Sequence, residues 1–201
     1  LLLFTNLSLL CYGQDNQKFN RLTIKEGLSQ SSVNSIIQDK KGYMWFATQA
    51  GLNKFDGSRF VCYKNDPVDK NSLPESYVWD LYLDNDGIIW IVMKGGGLTA
   101  FNPETETFIH YKNDAKDPNS IISDLSRCIT SDKKGNLYIG CDTGFSIFNK
   151  KTKTFQNHAT TESVISIFIN SRDDVYIGTD GGGLLKYDSK NDKYTVYNAE
   201  T

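Results

Sequence analysis

The chain of 201 residues carries 22 basic against 24 acidic side chains, a net charge of −2, and 39% hydrophobic residues. The two signs are interspersed, which excludes a basic nucleic-acid stripe and a polybasic membrane anchor, so no nucleic acid is expected as a partner. Beyond the first residues there is no apolar run of membrane-spanning length.

Residues 1–13, LLLFTNLSLLCYG, are uncharged and mostly apolar. The run is too short to span a bilayer and reads as the remnant of a secretory signal peptide, with cleavage after Gly13 and export to the periplasm. Cys11 follows Leu10, where a lipoprotein signal would carry a small residue. Residues 14–32 form a lead-in with a predicted strand, FNRLTI, placed to act as the clasp of a closed ring.

From Val33 onward the chain repeats one unit four times, at residues 33–63, 78–111, 126–158 and 164–197. Each unit opens on a short strand whose first residue lies nine positions before a turn glycine: Gly42, Gly87, Gly135 and, in the fourth copy, Asp173 instead. A large aromatic follows three residues later, and Trp45, Trp90, Tyr138 and Tyr176 recur at spacings of 45, 48 and 38 residues. A second register agrees, with Gly51, Gly97, Gly144 and Gly183 each followed four residues on by Phe55, Phe101, Phe148 and Tyr187. Four short strands in a period of about 40–50 residues are the pattern of a β-propeller blade. A single twisted sheet of this kind cannot bury both faces, so blades stack radially and the aromatics fill the wedge between them. The expected fold is therefore an all-β propeller of four-stranded antiparallel blades. Four blades are present, part of a larger ring of about seven. A β-sandwich is the competing architecture, but its strands do not normally repeat such a register.

Motifs for catalysis are scarce: there is no G-x-S-x-G elbow, H-E-x-x-H, Walker loop or C-x-x-C pair. His110 and His158 fall at repeat positions held elsewhere by Cys62, Val196 and by Tyr63, Tyr111, Tyr197, which places both on outer strands. Gly95–Gly97 and Gly181–Gly183 precede strands rather than helices, so they read as tight loops and not as phosphate cradles. Asp84, Asp86 and Gly87 resemble the start of a calcium loop, but Tyr82 stands where the first carboxylate belongs. Cys62, Cys128 and Cys141 read as small buried hydrophobes. No catalytic residue, metal or cofactor is expected.

Propeller geometry puts the loops between second and third strands on the same face as the blade-to-blade connectors, around the channel mouth. That face is expected to carry Gln49, Lys94, Asp142 and Asp180 from the loops. Asn34, Trp79 and Arg127 join them from the inner strands, with Tyr77 just before. An aromatic plate with amide, guanidinium and carboxylate groups is the chemistry of a sugar site. Trp79 with Arg127 is the sharpest candidate pair; the competing reading has Trp79 packed between blades and the others solvated.

The stretch KEGLSQSSVNSIIQDKKGYMWFATQAGLNKFDG and the connectors KNDPVDKNSL and KNDAKDPNSI resemble the two-component regulator propeller repeat. The resemblance covers residues 22–197 and is weakest in the fourth copy, with Asp173 for glycine and a short connector ahead of it. It implies the exported sensor region of a hybrid two-component histidine kinase of the Bacteroidetes, anchored in the inner membrane, homodimeric, and recognising oligosaccharides to regulate glycan-utilisation genes. The fragment itself would then be no enzyme. The rest of the propeller and of the sensor chain would be its partners. Two other readings stay open: an exported propeller scaffold for protein–protein binding, and a propeller lyase or hydrolase.

Overall fold

The computed structural model describes residues 19–197, so the segment read as a signal-peptide remnant and the first part of the lead-in lie outside the described residues. Sixteen strands form four antiparallel four-stranded sheets, each in simple meander order. Blade one comprises β1 (Val33–Gln38), β2 (Met44–Thr48), β3 (Gly51–Phe55) and β4 (Phe60–Tyr63). Blade two comprises β5 (Val78–Leu83), β6 (Ile89–Met93), β7 (Leu98–Asn102) and β8 (Thr107–Tyr111). Blade three is β9 (Ser126–Ser131), β10 (Leu137–Cys141), β11 (Gly144–Asn149) and β12 (Thr154–Ala159). Blade four is β13 (Val164–Ile169), β14 (Val175–Thr179), β15 (Leu184–Asp188) and β16 (Lys193–Tyr197). The first strands β1, β5, β9 and β13 adjoin one another in that order and line the axis. Sheet order and meander connection agree with the all-β propeller fold read from the repeats.

One polar device closes the first hairpin of every blade. Asp39 Oδ1 accepts the amides of Lys41 (2.9 Å) and Tyr43 (3.0 Å), and Asp84 Oδ1 those of Asp86 (2.9 Å) and Ile88 (3.0 Å). Asp132 and Asn170 do the same in blades three and four. The turn needs a left-handed residue, supplied by Gly42, Gly87 and Gly135. Asp173 stands in the glycine slot with φ 64°, a conformation that aspartate tolerates better than most residues. Where the repeat aromatic is tryptophan, the second carboxylate oxygen takes the indole N–H: Trp45 Nε1 donates to Asp39 at 2.8 Å and Trp90 Nε1 to Asp84 at 2.9 Å. The spacing of glycine and aromatic therefore reflects one hydrogen-bonded turn, repeated.

The core is divided among the wedges. Trp45, Leu52, Leu73, Ile91 and Phe101 fill that between blades one and two. Trp90, Leu98, Ile121, Ile139 and Phe148 fill the second, and Tyr138, Phe145, Val164, Ile177 and Leu185 the third. Trp45, Phe101, Phe145 and Phe148 are wholly buried, each a large share of the apolar area removed from water.

The lead-in departs from expectation. Residues 19–23 form no strand and Phe19 is 92% exposed. Instead Thr23 and Glu26 form a reciprocal capping box around a 3₁₀ turn, Ile24–Glu26, which ends on Gly27 at φ 107°. The capping box commits Thr23 and Ile24 to this turn and leaves residues 19–23 outside the four described sheets. Leu28, rather than the preceding stretch, is what docks: it is 6% exposed, and Ser29 donates its amide to Asn53 at 2.9 Å.

Candidate functional site

Two adjoining concavities lie on the axis and at its mouth. The axial cleft, of about 550 Å³, is bordered by Asn34, Trp79, Arg127 and Ile165, with Asp80 beneath them. These four occupy the same place, the second position of the inner strand, in the four blades. The mouth pocket, of about 170 Å³, is bordered by Trp79, Lys94, Leu125, Ser126, Arg127 and Asp142. Trp79 and Arg127 belong to both.

The loop residues reach the mouth through a repeated backbone bond. The amides of Lys94, Asp142 and Asp180 donate to the carbonyls of Tyr77 (3.0 Å), Leu125 (3.1 Å) and Ser163 (2.9 Å), each just ahead of an inner strand. This ties the turn after the second strand to the start of the neighbouring first strand. The rings of Tyr77 and Trp79 lie 4.7 Å apart at 44°, and Lys94 Nζ sits 5.6 Å from the Tyr77 ring centroid. Trp79 also packs against the core between blades two and three, so one edge is anchored while the side chain stays half-buried.

Inner-strand polar groups are held in place across blades. Asn34 Nδ2 donates to the Val78 carbonyl at 2.7 Å, and Asp80 Oδ2 accepts the Ile129 amide at 3.1 Å. Ser126 is wholly buried and its hydroxyl donates to the Gly97 carbonyl at 2.7 Å. Asp142 differs: its Oδ1 is buried without a hydrogen-bond partner among the described residues. A buried acceptor left open is costly unless a donor arrives.

Of the eight residues proposed from sequence, Asn34, Trp79, Lys94, Arg127 and Asp142 border these cavities and Tyr77 abuts Trp79. Gln49 and Asp180 are exposed and border neither. Ile165, Asp80, Leu125 and Ser126 were not foreseen. Ile165 was open to detection, since it holds the repeat position of Asn34, Trp79 and Arg127. The two histidines lie away from both cavities. His158 stacks on Phe145 with centroids 4.5 Å apart, and His110 Nδ1 lies 3.1 Å from Thr99 Oγ1. Burial lowers the pKa of both, with Asp192 opposing the shift at His158. Asp84, the start of the calcium-like sequence, is committed to Trp90, to its turn amides and to Lys150 Nζ at 2.8 Å. Cys62, Cys128 and Cys141 are free thiols, and burial pushes Cys128 up to about 12.

The two component regulator propeller family matches the chain at residues 27–50 and 72–95. The second segment ends at the glycine loop that carries Lys94 to the mouth. In these two segments the chain carries two-component regulator propeller repeats. Histidine kinase P4 of Formosa agariphila is 46% identical over 74 residues, 36% of this chain and 5% of the kinase. Among solved structures, an extracellular domain assigned to a hybrid two-component system of B. thetaiotaomicron superposes with a TM-score of 0.84 at 30% identity. It covers 90% of this chain and 26% of that one. A second such domain from the same organism superposes at 0.70 with 20% identity, over 84% and 25%, a likeness of fold. The chain thus spans about a quarter of the solved domains it matches and 5% of the kinase. No helix among the described residues is long and apolar enough to cross a membrane.

Proposed function

We propose that these propeller repeats are an exported, periplasmic ligand-sensing segment of a hybrid two-component histidine kinase, and that the axial cleft and its mouth bind an oligosaccharide. The segment senses and does not catalyse; the remaining propeller, the kinase and a second copy of the sensor are its partners. The family match and the likeness to extracellular domains of two-component systems support the sensor role. The observation that carries the ligand class is Trp79, whose ring stands at the junction of the two cavities beside Arg127, with Tyr77 tilted against it. An aromatic face suits the C–H face of a sugar ring, while the Arg127 guanidinium, the Asn34 amide and the open Asp142 acceptor suit hydroxyls.

Calorimetric titration with a panel of neutral and acidic oligosaccharides tests this. At least one is expected to bind saturably, and Trp79→Ala and Arg127→Ala are each expected to weaken it about tenfold or more. Binding by no member of the panel, or binding indifferent to both substitutions, would overturn the assignment.

A further inference from the structure

In three blades the chain arriving at the inner strand sets an aliphatic residue five positions ahead of it: Leu28, Leu73 and Ile121, exposed by 6, 0 and 0%. The three seats share a buried polar floor. The second residue of the apolar part of the third strand is polar, being Asn53, Thr99 or Ser146, all wholly buried. Asn53 accepts the Ser29 amide at 2.9 Å and Ser146 the Ile122 amide at 3.0 Å. The outer strand then grips the incoming segment, with the Phe108 amide donating to Asn71 Oδ1 and the Phe155 amide to the Asn119 carbonyl, both at 3.0 Å. In these two blades the seated residue follows Asn-Ser, as Asn71-Ser72-Leu73 and Asn119-Ser120-Ile121.

Blade four changes every one of these features. Five positions ahead of Val164 stands Ala159, the last residue of β12 and exposed. The polar third-strand position is Leu185, 4% exposed and part of the core between blades three and four. Its partner across the outer strand is Val196, where the other blades have Cys62, His110 and Asn157. The short connector is fastened elsewhere, Thr160 to the Thr143 carbonyl and Ser163 to the Asp142 carbonyl, both at 3.1 Å. The seat is left as a cleft of about 370 Å³, floored by Leu185, Tyr194 and Val196 and rimmed by Thr161, Glu162 and Thr179.

We propose that this cleft receives a leucine or isoleucine side chain of a partner polypeptide, in the place that connectors fill in the other blades. The fold itself identifies the occupant, since three equivalent seats hold an aliphatic side chain carried by the segment that leads into the blade. The floor agrees: Leu185 stands where Asn53 and Ser146 accept connector amides, and Val196 lies opposite it, which favours an aliphatic group over a hydroxyl-rich one. The cleft is continuous with the core between blades three and four, so a seated side chain extends an existing apolar cluster. The edge of β16 offers its backbone to the segment, as β8 and β12 do to theirs.

The probe is a fluorescein-labelled peptide of the chain's own connector, Asp-Lys-Asn-Ser-Leu-Pro-Glu-Ser, spanning Asp69–Ser76, titrated against the whole chain by fluorescence anisotropy. Saturable binding below about 1 mM is expected. Glycine in place of leucine in the peptide should weaken it about tenfold or more, as should Val196→Arg in the protein. Val196 is 39% exposed on an edge strand, so an unchanged melting temperature separates lost docking from lost folding. Trp79→Ala should leave peptide binding intact and Val196→Arg should leave oligosaccharide binding intact, which keeps this site distinct from the axial one. No saturation, equal binding of the leucine and glycine peptides, or an oligosaccharide whose binding Val196→Arg abolishes would each overturn the proposal.

Discussion

Asp84 shows how much one side chain organises. Its two oxygens hold two turn amides, the Trp90 indole and, from blade three, the Lys150 ammonium. Burial alone would raise its pKa, but the Lys150 and Trp90 hydrogen bonds and the Ile88 amide outweigh that and hold it below the ordinary carboxylate range. Asp84→Ala strands these donors in a site where the carboxylate is 4% exposed. It is expected to cost about 3 kcal/mol in urea denaturation, against about 1–2 kcal/mol for Asp39→Ala, which has no cross-blade ammonium. Because the folded-state pKa is depressed, the unfolded chain takes up the proton first as pH falls. The contribution is therefore complete above the unfolded value, about 4, and is lost as pH falls through the lower folded value. The stability gap between the wild type and Asp84→Asn should hold from pH 7 to 5 and close below pH 4. A gap independent of pH would show that the charge contributes nothing.

The connectors are the elements that distinguish one blade from the next. KNDPVDKNSL and KNDAKDPNSI are not slack loops. Asn65 Nδ2 donates to the Leu73 carbonyl at 2.7 Å, and Asn113 Nδ2 to that of Ile121 at 2.6 Å. Asp66 and Asp114 each receive a serine hydroxyl, Ser72 or Ser120, at their backbone. The loop is thus folded around the aliphatic residue that it inserts. Leu73→Ala, at a position with no exposure, is expected to cost about 3 kcal/mol, while Val68→Ala in the same connector, at 91% exposure, should fall within about 0.5 kcal/mol of the wild type. Thermal melts of the two variants decide this; equal shifts would mean that the connector acts only as a tether.

At the scale of the molecule, the described residues form an arc of four blades whose end sheets face outward. Ile36 in blade one is 55% exposed, and Phe168, Leu184 and Tyr197 in blade four are 65, 41 and 51% exposed. Sheet faces of this composition are normally covered by the next blade. The chain by itself is expected to self-associate with rising concentration, and Phe168→Lys with Ile36→Lys to suppress it. A monodisperse monomer in light scattering across micromolar concentrations would contradict this. The same arrangement makes the axial cleft a partial channel, bordered on one side by Asn34 and on the other by Ile165.

The repeat, the strand number and the all-β propeller fold were determined by the sequence alone, because a blade is local. Its hairpins close through Asp39, Gly42 and Trp45 and their counterparts within a dozen residues, so the pattern is written along the chain. The inner-strand position of Asn34, Trp79 and Arg127 could be read for the same reason. What only the tertiary structure decided depends on contacts between blades: that Gln49 and Asp180 stand clear of the cavities, and that Ile165 joins Asn34, Trp79 and Arg127 along the axial cleft. The lead-in has a local cause instead, for the Thr23–Glu26 capping box holds Ile24–Glu26 in a turn where a strand was expected. The cleft between blades three and four was least visible of all. Its cause is a short connector and a change from Asn53, Thr99 and Ser146 to Leu185, and these meet only when two blades are packed together.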